Sequence, residues 1–323
     1  MTGCPKWKSG LGARAAIRVV ASSSYSGDME SGPRSSQYVD VGELLHVADY
    51  GGTGAPIVCV HGLGGSHVNW MTVAPGLARL GHVTVPDLPG FGLSPAPPGG
   101  VSFHHLRDGL DRYLRTLDGP VTLIGNSMGG TLAMVQAALA PETVSRLVLV
   151  SPAAPFLPEE KPDPLVAAWF AAYLAPGLGR LLVSGRRTFV DPATVSRWVL
   201  ELCAARPSRL TPDTLTRHIE IAQQRQHLPG IDVAFLGAVR TLLAFVGRRR
   251  AFDRMVAAVV SPTLVIHGDM DRLVPVAAAH RLGRLRPDWQ VEILAEVGHI
   301  AMLEVPATFI EVVEGWMRSA RAA

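Results

Sequence analysis

Apolar positions follow two different spacings that alternate along most of the chain. Short apolar runs rich in β-branched residues predict buried strands, and apolar residues three or four positions apart predict helices. The predicted strands are residues 57–60, 82–86, 121–125, 147–151, 263–267 and 291–294, preceded by a hairpin over 38–47. The predicted helices include residues 73–80, 106–117, 128–139 and 306–320. This alternation predicts an α/β fold with a mostly parallel central sheet and helices on both faces.

One long segment interrupts this alternation, because residues 152–261 contain no convincing strand. Within it, helix starts are marked by a capping residue followed by proline, at Asp191-Pro192 and at Thr211-Pro212. We therefore expect a helical cap or lid inserted into an α/β core. The expected core consists of residues 37–151 and 262–323.

The first 36 residues differ in composition from the rest of the chain. Residues 1–27 contain no Asp or Glu, and residues 21–36 are rich in Ser and Gly. Arg18 interrupts the only apolar stretch there, which argues against a secretory signal. We expect a disordered or low-complexity tail over 1–36, and a transit peptide is the alternative, since the stretch is basic and contains serine.

The amino-acid composition limits the classes of binding partner that are expected. The 323 residues carry 30 basic and 27 acidic side chains, a net charge of +3, which gives no argument for nucleic-acid binding. No apolar run reaches the roughly 18 residues of a membrane-spanning helix. Three cysteines without metal-ligand spacing predict neither a metal site nor a disulfide framework. We expect a cytoplasmic protein that acts on a small molecule, with a homodimer left open.

The strongest chemical signal is a Gly-x-Ser-x-Gly pattern, Gly125-Asn-Ser127-Met-Gly129, between a predicted strand and a predicted helix. Such a tight turn holds the serine in a strained conformation, and its small neighbours let the helix fold back onto the strand. The serine hydroxyl then stands at a helix N-terminus, where developing negative charge is favoured. The pattern predicts a nucleophilic serine.

With this motif, residues 38–317 resemble the α/β-hydrolase fold, in its capped group. The resemblance implies that Ser127 is the nucleophile and that the loop starting His61-Gly-Leu63 supplies one oxyanion-hole amide, from Leu63. The residue after the nucleophile, Met128, supplies the other. The loop over 86–94, which contains Asp87, is expected to be structural, as is His61.

The remaining motifs complete a Ser-Asp-His order along the chain. Asp271 stands before Leu-Val-Pro, where the family carries its acid, and Asp269 is the competitor two residues earlier. His299 follows a glycine in the loop before the last helix and matches the family's base. The resemblance thus implies a Ser127–His299–Asp271 triad.

Four further residues are expected to contact substrate. Gly62 and Gly64 belong to the oxyanion loop, His67 lies close to it, and Trp198 lies in the cap beside Arg197. Neither a metal nor an organic cofactor is expected, because the glycines of this loop lack the partner residues of a phosphate-binding or dinucleotide-binding motif.

These residues predict a serine hydrolase that cleaves carboxylic esters of small to medium apolar acyl groups through an acyl-enzyme. One alternative is hydrolysis of a carbon–carbon bond beside a ketone, as in aromatic-ring degradation, since the triad is the same. An alternative of another class is a ligand-binding receptor with little turnover, because one fold supports unrelated functions.

Overall fold

A computed structural model describes residues 19–23, 32–155 and 163–319. The strands are β1 Val19–Ser23, β2 Ser35–Asp40, β3 Leu44–Gly51, β4 Pro56–Val60, β5 His82–Pro86, β6 Val121–Asn126, β7 Val144–Val150, β8 Thr263–Gly268 and β9 Gln290–Leu294. They form one sheet in the order β1-β2-β3-β5-β4-β6-β7-β8-β9. Strands β4 to β9 are parallel, and the first three pair antiparallel.

Twelve α-helices connect and cover these strands in the described part of the chain. They are α1 Ala74–Leu77, α2 Phe103–Leu114, α3 Met128–Leu139, α4 Pro164–Leu174, α5 Leu178–Phe189, α6 Pro192–Cys203, α7 Pro212–Arg225, α8 Ile231–Val246, α9 Arg249–Ala258, α10 Ala277–Leu285, α11 Ala301–Glu304 and α12 Pro306–Ser319. The predicted α/β fold with a mostly parallel sheet is therefore confirmed.

Alternate residues of the central strands enter two separate cores. On β7, Leu147 and Leu149 pack on one face with α2, α3, α9 and α10, whereas Val148 and Val150 pack on the other with α1 and α12. Strands that are buried on both faces need apolar residues at every position, which is why they read as continuous apolar runs.

Helix boundaries differ from the sequence prediction where capping decides them. The helix predicted over 106–117 begins at Phe103, because the Ser102 side chain accepts a hydrogen bond from the backbone N–H of His105. The two starts predicted at Asp191 and Thr211 are confirmed, and each side chain accepts from the N–H three residues later.

Between β7 and β8 the described chain forms six helices and no strand. Of these, α9 packs against α3 and α10, beside the sheet, and Arg286 Nη1 donates to the carbonyls of Val256 and Val259. We therefore propose that the cap consists of α4 to α8 and that α9 belongs to the core layer.

Part of the predicted tail belongs to the sheet. Residues 19–23 form β1, which pairs antiparallel with β2, and β2 itself begins at Ser35. Val19 and Val20 give this segment the β-branched character of a strand. The rest of the predicted tail, apart from residues 32–34, lies outside the described residues.

Candidate active site

The turn between β6 and α3 holds Ser127 in a strained backbone conformation, with φ 55° and ψ −120°. The neighbouring glycines are required by close backbone contacts. A Cβ on Gly125 would lie 2.3 Å from the carbonyl oxygen of Gly129, and one on Gly129 would lie 2.4 Å from the carbonyl oxygens of Val60 and His61. Strain of this kind persists only where the surroundings impose it. Ser127 is consequently presented at the N-terminus of α3.

The loop after β4 faces this turn. Leu63 lies in the wall of the same cavity as Ser127, and a Cβ on Gly62 would approach the Cβ of Ser127 to 3.1 Å. Gly64 has φ 73° and lies close to the Phe235 ring. Met128 is the first residue of α3, so its N–H has no acceptor within the helix.

Asp271 and His299 form a buried pair. His299 Nδ1 donates to Asp271 Oδ2 at 2.7 Å, while Asp271 Oδ1 accepts from the backbone N–H groups of Leu273 and Val274 at 2.8 and 2.9 Å. His267 Nε2 lies 3.4 Å from Asp271 Oδ2. The alternative acid, Asp269, is exposed. The structure therefore places Asp271, and not Asp269, in hydrogen-bond contact with His299.

The surroundings keep the Asp271 carboxyl ionised. Burial would raise its pKa, but the charge of His299 and the hydrogen bonds from His267 and His299 outweigh burial and hold the pKa below its ordinary value. An ionised carboxylate at this position fixes the tautomer of His299 and leaves Nε2 as the proton acceptor.

Asn126, which the sequence analysis did not single out, ties the histidine loop to the serine turn. Its Nδ2 donates to the carbonyl of His299 at 3.1 Å and to that of Val150 at 3.2 Å. The backbone N–H of His299 donates to the carbonyl of Cys203 at 2.7 Å. His299 is therefore held by hydrogen bonds from both the core and the end of α6.

Glu304 is a second residue that the sequence analysis missed. Its buried carboxylate accepts from the backbone N–H groups of Gly298, Ala205 and Arg206 at 2.9, 3.1 and 2.8 Å. It joins the loop before His299 to the chain after α6. The sequence signal for this buried role is an acidic residue inside an apolar stretch, Met-Leu-Glu-Val, and it was overlooked.

A cavity of about 670 Å³ lies between the sheet edge and the helices α4 to α8, and both Ser127 and His299 line it. Gly62, Leu63 and Gly64 line it as well. Most of its other walls are apolar, with side chains that include Val166, Phe170, Leu174, Val183, Val199, Leu200, Ile221, Phe235, Leu242 and Leu243.

Comparison with known proteins agrees with this geometry. The family described as having the alpha/beta hydrolase fold matches residues 55–306. This chain belongs to the α/β-hydrolase family. The hydrolase is 28% identical, over 82% of its length and 90% of the relative's, to a 2-hydroxy-6-oxo-2,4-heptadienoate hydrolase of Pseudomonas putida.

Two other similar proteins carry different names. The α/β hydrolase is 31% identical to a pimeloyl-[acyl-carrier protein] methyl ester esterase of Aromatoleum aromaticum, over 81% of this chain and 98% of that one. It also resembles the solved meta-cleavage product hydrolase of Pseudomonas fluorescens, with a TM-score of 0.67, 24% identity, and coverage of 87% and 96%. Relatives therefore include both a methyl ester esterase and a hydrolase of a 2-hydroxy-6-oxo-dienoate.

Two residues predicted to contact substrate in this hydrolase do not reach the cavity. Trp198 is 57% exposed on the outside of α6, because Leu200 and Ser196 occupy the buried positions of that helix. His67 follows the loop after β4 and is buried, and its backbone N–H and Nδ1 both donate to Asp87, at 2.6 and 2.9 Å. Neither residue is among those that line the cavity.

The Asp87 carboxylate organises the loops behind the site. It accepts from His67, from His46 Nδ1 at 2.9 Å and from the N–H of Leu93 at 2.8 Å. His46, His67 and Asp87 lie close enough to hold a metal ion, but their facing nitrogens already donate to the carboxylate. Burial raises the Asp87 pKa, yet the charges and hydrogen bonds of the two histidines lower it well below its ordinary value.

His61 supports the same region as a neutral side chain. Its Nδ1 donates to the carbonyl of Gly62 at 2.8 Å, and its Nε2 accepts from the N–H of Leu88 at 3.0 Å. Burial lowers its pKa to about 4. A neutral imidazole has one donor and one acceptor nitrogen, as these two bonds require.

Proposed function

We propose that this α/β hydrolase cleaves carboxylic esters with apolar acyl groups, using Ser127, His299 and Asp271. The observation that carries the proposal is the cavity, which combines the strained serine and the Asp-paired histidine with mostly apolar walls. Its volume of about 670 Å³ lies in the range that accommodates drug-sized ligands. Small to medium apolar acyl groups fit this description.

In the proposed acylation, His299 Nε2 accepts the proton of the Ser127 hydroxyl as the oxygen attacks the acyl carbon. The tetrahedral oxyanion is held by the amides of Leu63 and Met128, and each such donor contributes roughly 3–4 kcal/mol to transition-state stabilisation. His299 then gives its proton to the departing alcohol, so that the C–O bond breaks and an acyl-enzyme remains.

In the proposed deacylation, His299 accepts a proton from water, which attacks the acyl-enzyme carbonyl. The second tetrahedral intermediate collapses, the acid leaves, and Ser127 recovers its proton from His299. Asp271 stabilises the imidazolium in both steps. Every group that this cycle needs is a side chain, a backbone amide or water.

Release of p-nitrophenol from acetate, butyrate and octanoate esters tests this proposal. We expect sustained turnover that falls at least 1,000-fold in Ser127→Ala, an order of magnitude typical of triad removal. Asp271→Asn should also lose most activity, because the amide no longer stabilises the imidazolium. The matched control, Asp269→Asn, changes an exposed carboxylate two residues away and should keep wild-type turnover.

The result also separates the remaining alternatives. Equal turnover in the wild type and Ser127→Ala would contradict the proposal. Release of a single equivalent without further turnover would favour the receptor-like alternative, in which the serine reacts once and the acyl group remains.

Hydrolysis of a carbon–carbon bond is kept as a second candidate because of two arginines in the cavity wall. Arg186 and Arg225 form no ion pair with a carboxylate of the described residues, and Arg225 donates only to the carbonyl of Gly90, at 3.1 Å. Burial lowers the pKa of Arg225 to about 10. The charge of Asp87 acts on Arg225 without forming an ion pair, and a substrate carboxylate would give the two half-buried arginines a direct anionic partner.

A direct comparison of substrates distinguishes the two functions. A 2-hydroxy-6-oxo-dienoate carries a carboxylate and a ketone beside the bond to be cleaved, whereas octanoate esters carry no charge. Faster turnover of the dienoate, lost in Arg225→Met, would favour the carbon–carbon reaction over ester hydrolysis.

A further inference from the structure

The outer surface of α4 is apolar and exposed. The helix contains no charged residue, and most of its positions are exposed, including Leu165 at 53%, Trp169 at 43% and Leu174 at 45%. A helix that is apolar on all sides is normally buried in a core or in a membrane. Its inner side contributes Val166 and Phe170 to the cavity, so only the outer side lacks a partner within the described chain.

The next two helices carry the same kind of surface. Their exposed apolar side chains include Leu178 and Leu181 on α5, Phe189 at the end of α5, and Trp198 and Val199 on α6. Phe189 is 87% exposed and Leu181 is 69% exposed. We call the exposed apolar residues of α4, α5 and α6 the apolar rim. It consists of Leu165, Trp169, Leu174, Leu178, Leu181, Phe189, Trp198 and Val199.

The apolar rim is continuous with the cavity. Leu174 and Val199 are exposed on the outside and also line the cavity, and the exposed alanines Ala167 and Ala171 do the same on α4. These residues therefore border its mouth. They connect the exposed apolar surface with the apolar part of the cavity wall.

Arginines outnumber acidic residues around the rim: residues 164–203 contain four arginines and two acidic residues, Asp191 and Glu201, both exposed. Residues 164–190 contain three arginines, Arg180, Arg186 and Arg187, and no Asp or Glu. Arg187 is paired with Asp232, but Arg180 is exposed, as is Arg197 on α6. Apolar side chains flanked by arginines are the composition of helices that lie in the interface of an anionic membrane.

We propose that the apolar rim docks onto the surface of an anionic lipid bilayer and delivers a bilayer-dissolved ester with a medium-length apolar acyl group to Ser127. The choice of substrate rests on the proposed ester hydrolysis, whereas the docking does not. In the described ranges no single helix is long and apolar enough to cross a bilayer. Together α4 and α5 are long and apolar enough to span a bilayer, but they are bent by 107° relative to each other, so we place them in its surface.

A second copy of the chain fits this surface less well than a bilayer. In a two-fold dimer the same patch meets itself, so the net positive charge of residues 164–203, four arginines against Asp191 and Glu201, would be doubled at one interface. Like charges at an interface oppose association. A bilayer with anionic headgroups provides the opposite charge and an apolar interior together.

Co-sedimentation with vesicles tests the docking. The probes are vesicles of phosphatidylcholine alone and of phosphatidylcholine with 30% phosphatidylglycerol, a composition chosen to be strongly anionic. We expect binding to the anionic vesicles that falls at least fivefold in Leu181→Ser/Phe189→Ser and at 0.5 M salt. Both residues are exposed and neither lines the cavity, so folding and turnover of a soluble butyrate ester should remain unchanged.

Matched variants elsewhere on the surface serve as controls. Val260→Ser removes a side chain that is 73% exposed before β8, and Arg284→Gln removes an exposed arginine on α10. Both should bind vesicles like the wild type, whereas Arg180→Gln should bind anionic vesicles more weakly. Equal loss in rim and control variants would overturn the proposal.

The remaining outcomes separate docking from catalysis. Vesicle binding without turnover of any ester would support the docking surface and count against ester hydrolysis. Turnover of the soluble ester without binding to either vesicle would overturn the docking and leave hydrolysis standing. A dimer measured by light scattering, abolished by Leu181→Ser/Phe189→Ser and accompanied by no vesicle binding, would assign the rim to a second copy and also overturn it.

Discussion

At the scale of single residues, the geometry of the site depends on a glycine at a position where a Cβ would meet backbone atoms. Gly129 leaves room for the carbonyl oxygens of Val60 and His61, which would lie 2.4 Å from any Cβ at that position. Backbone atoms of a central strand cannot move aside cheaply, because they belong to the sheet. The strain at Ser127 is therefore maintained by a neighbour that has no side chain.

Gly129→Ala should lower both stability and activity. We expect a loss of about 3 kcal/mol in the free energy of unfolding, the upper part of the range for overpacking a filled site, together with a loss of turnover. Urea denaturation and p-nitrophenyl butyrate hydrolysis measure the two effects. In the control, Gly185→Ala, a Cβ meets nothing within 4 Å inside α5, and stability should be unchanged or slightly higher.

The role of a single residue could be predicted from the sequence where the local backbone conformation permits only one residue type. Gly125, Ser127 and Gly129 form such a pattern, and the structure shows the strain that it implies. Trp198, predicted to contact substrate, lies on the exposed side of α6, because the sequence does not say which side of that helix faces the cavity. Asn126 was missed, because its amide acts on the carbonyl of a residue 173 positions away.

At the scale of elements, the loop that carries His299 is anchored to the insertion as well as to the core. Glu304 accepts hydrogen bonds from Gly298 on one side and from Ala205 and Arg206 on the other. A Cβ on Gly298 would lie 2.3 Å from the carbonyl oxygen of Cys203, so the two segments are in direct backbone contact. Movement of α6 is thereby coupled to the position of the proposed base.

Glu304→Gln should weaken this anchor. The amide offers one acceptor oxygen where three N–H groups now share two, so at least one buried donor loses its partner, at a cost of about 1–3 kcal/mol in stability. We expect kcat to fall roughly tenfold, which corresponds to 1.4 kcal/mol, with KM changed less. An unchanged kcat would show that Glu304 only stabilises the fold; Glu311→Gln, at an exposed position of α12, is the control.

Elements themselves were largely predictable, and their ends were not. The strand over 82–86 and the helix over 128–139 agree with the structure residue for residue. The helix predicted to begin at residue 106 begins three residues earlier, because the backbone N–H of His105 donates a hydrogen bond to the Ser102 side chain. Apolar spacing describes the buried face of a helix and contains no information about its caps.

At the scale of the whole molecule, two histidines with lowered pKa values make the free energy of unfolding depend on pH. Burial lowers the pKa of both His61 and His218 to about 4. In the unfolded chain these groups titrate near about 6.5. As the pH falls from 6.5 to 4, the unfolded state binds protons that the folded state does not, and stability decreases.

The free energy of unfolding should therefore decline between pH 7 and pH 4.5. Each histidine lowers the free energy of unfolding by on the order of 3 kcal/mol once the pH is below its pKa in both the unfolded and the folded chain. His218→Asn keeps a donor for the carbonyl of Thr214, 2.7 Å from His218 Nδ1, and should flatten the decline measured by urea denaturation. An unchanged slope would contradict this. The carboxylates of Asp87 and Asp271 act in the same direction only below about pH 4.

The insertion leaves and rejoins the sheet at neighbouring strands. β7 and β8 are hydrogen-bonded partners, with Val150 opposite Ile266, so the last residue of the strand before the insertion lies beside the strand that follows it. A segment attached at two adjacent points can be lengthened, shortened or exchanged without altering the register of the sheet. Exchange of α4 to α8 for the corresponding segment of a relative is therefore a route to new selectivity, provided that the contacts of Cys203 with His299 and of Ala205 and Arg206 with Glu304 are kept.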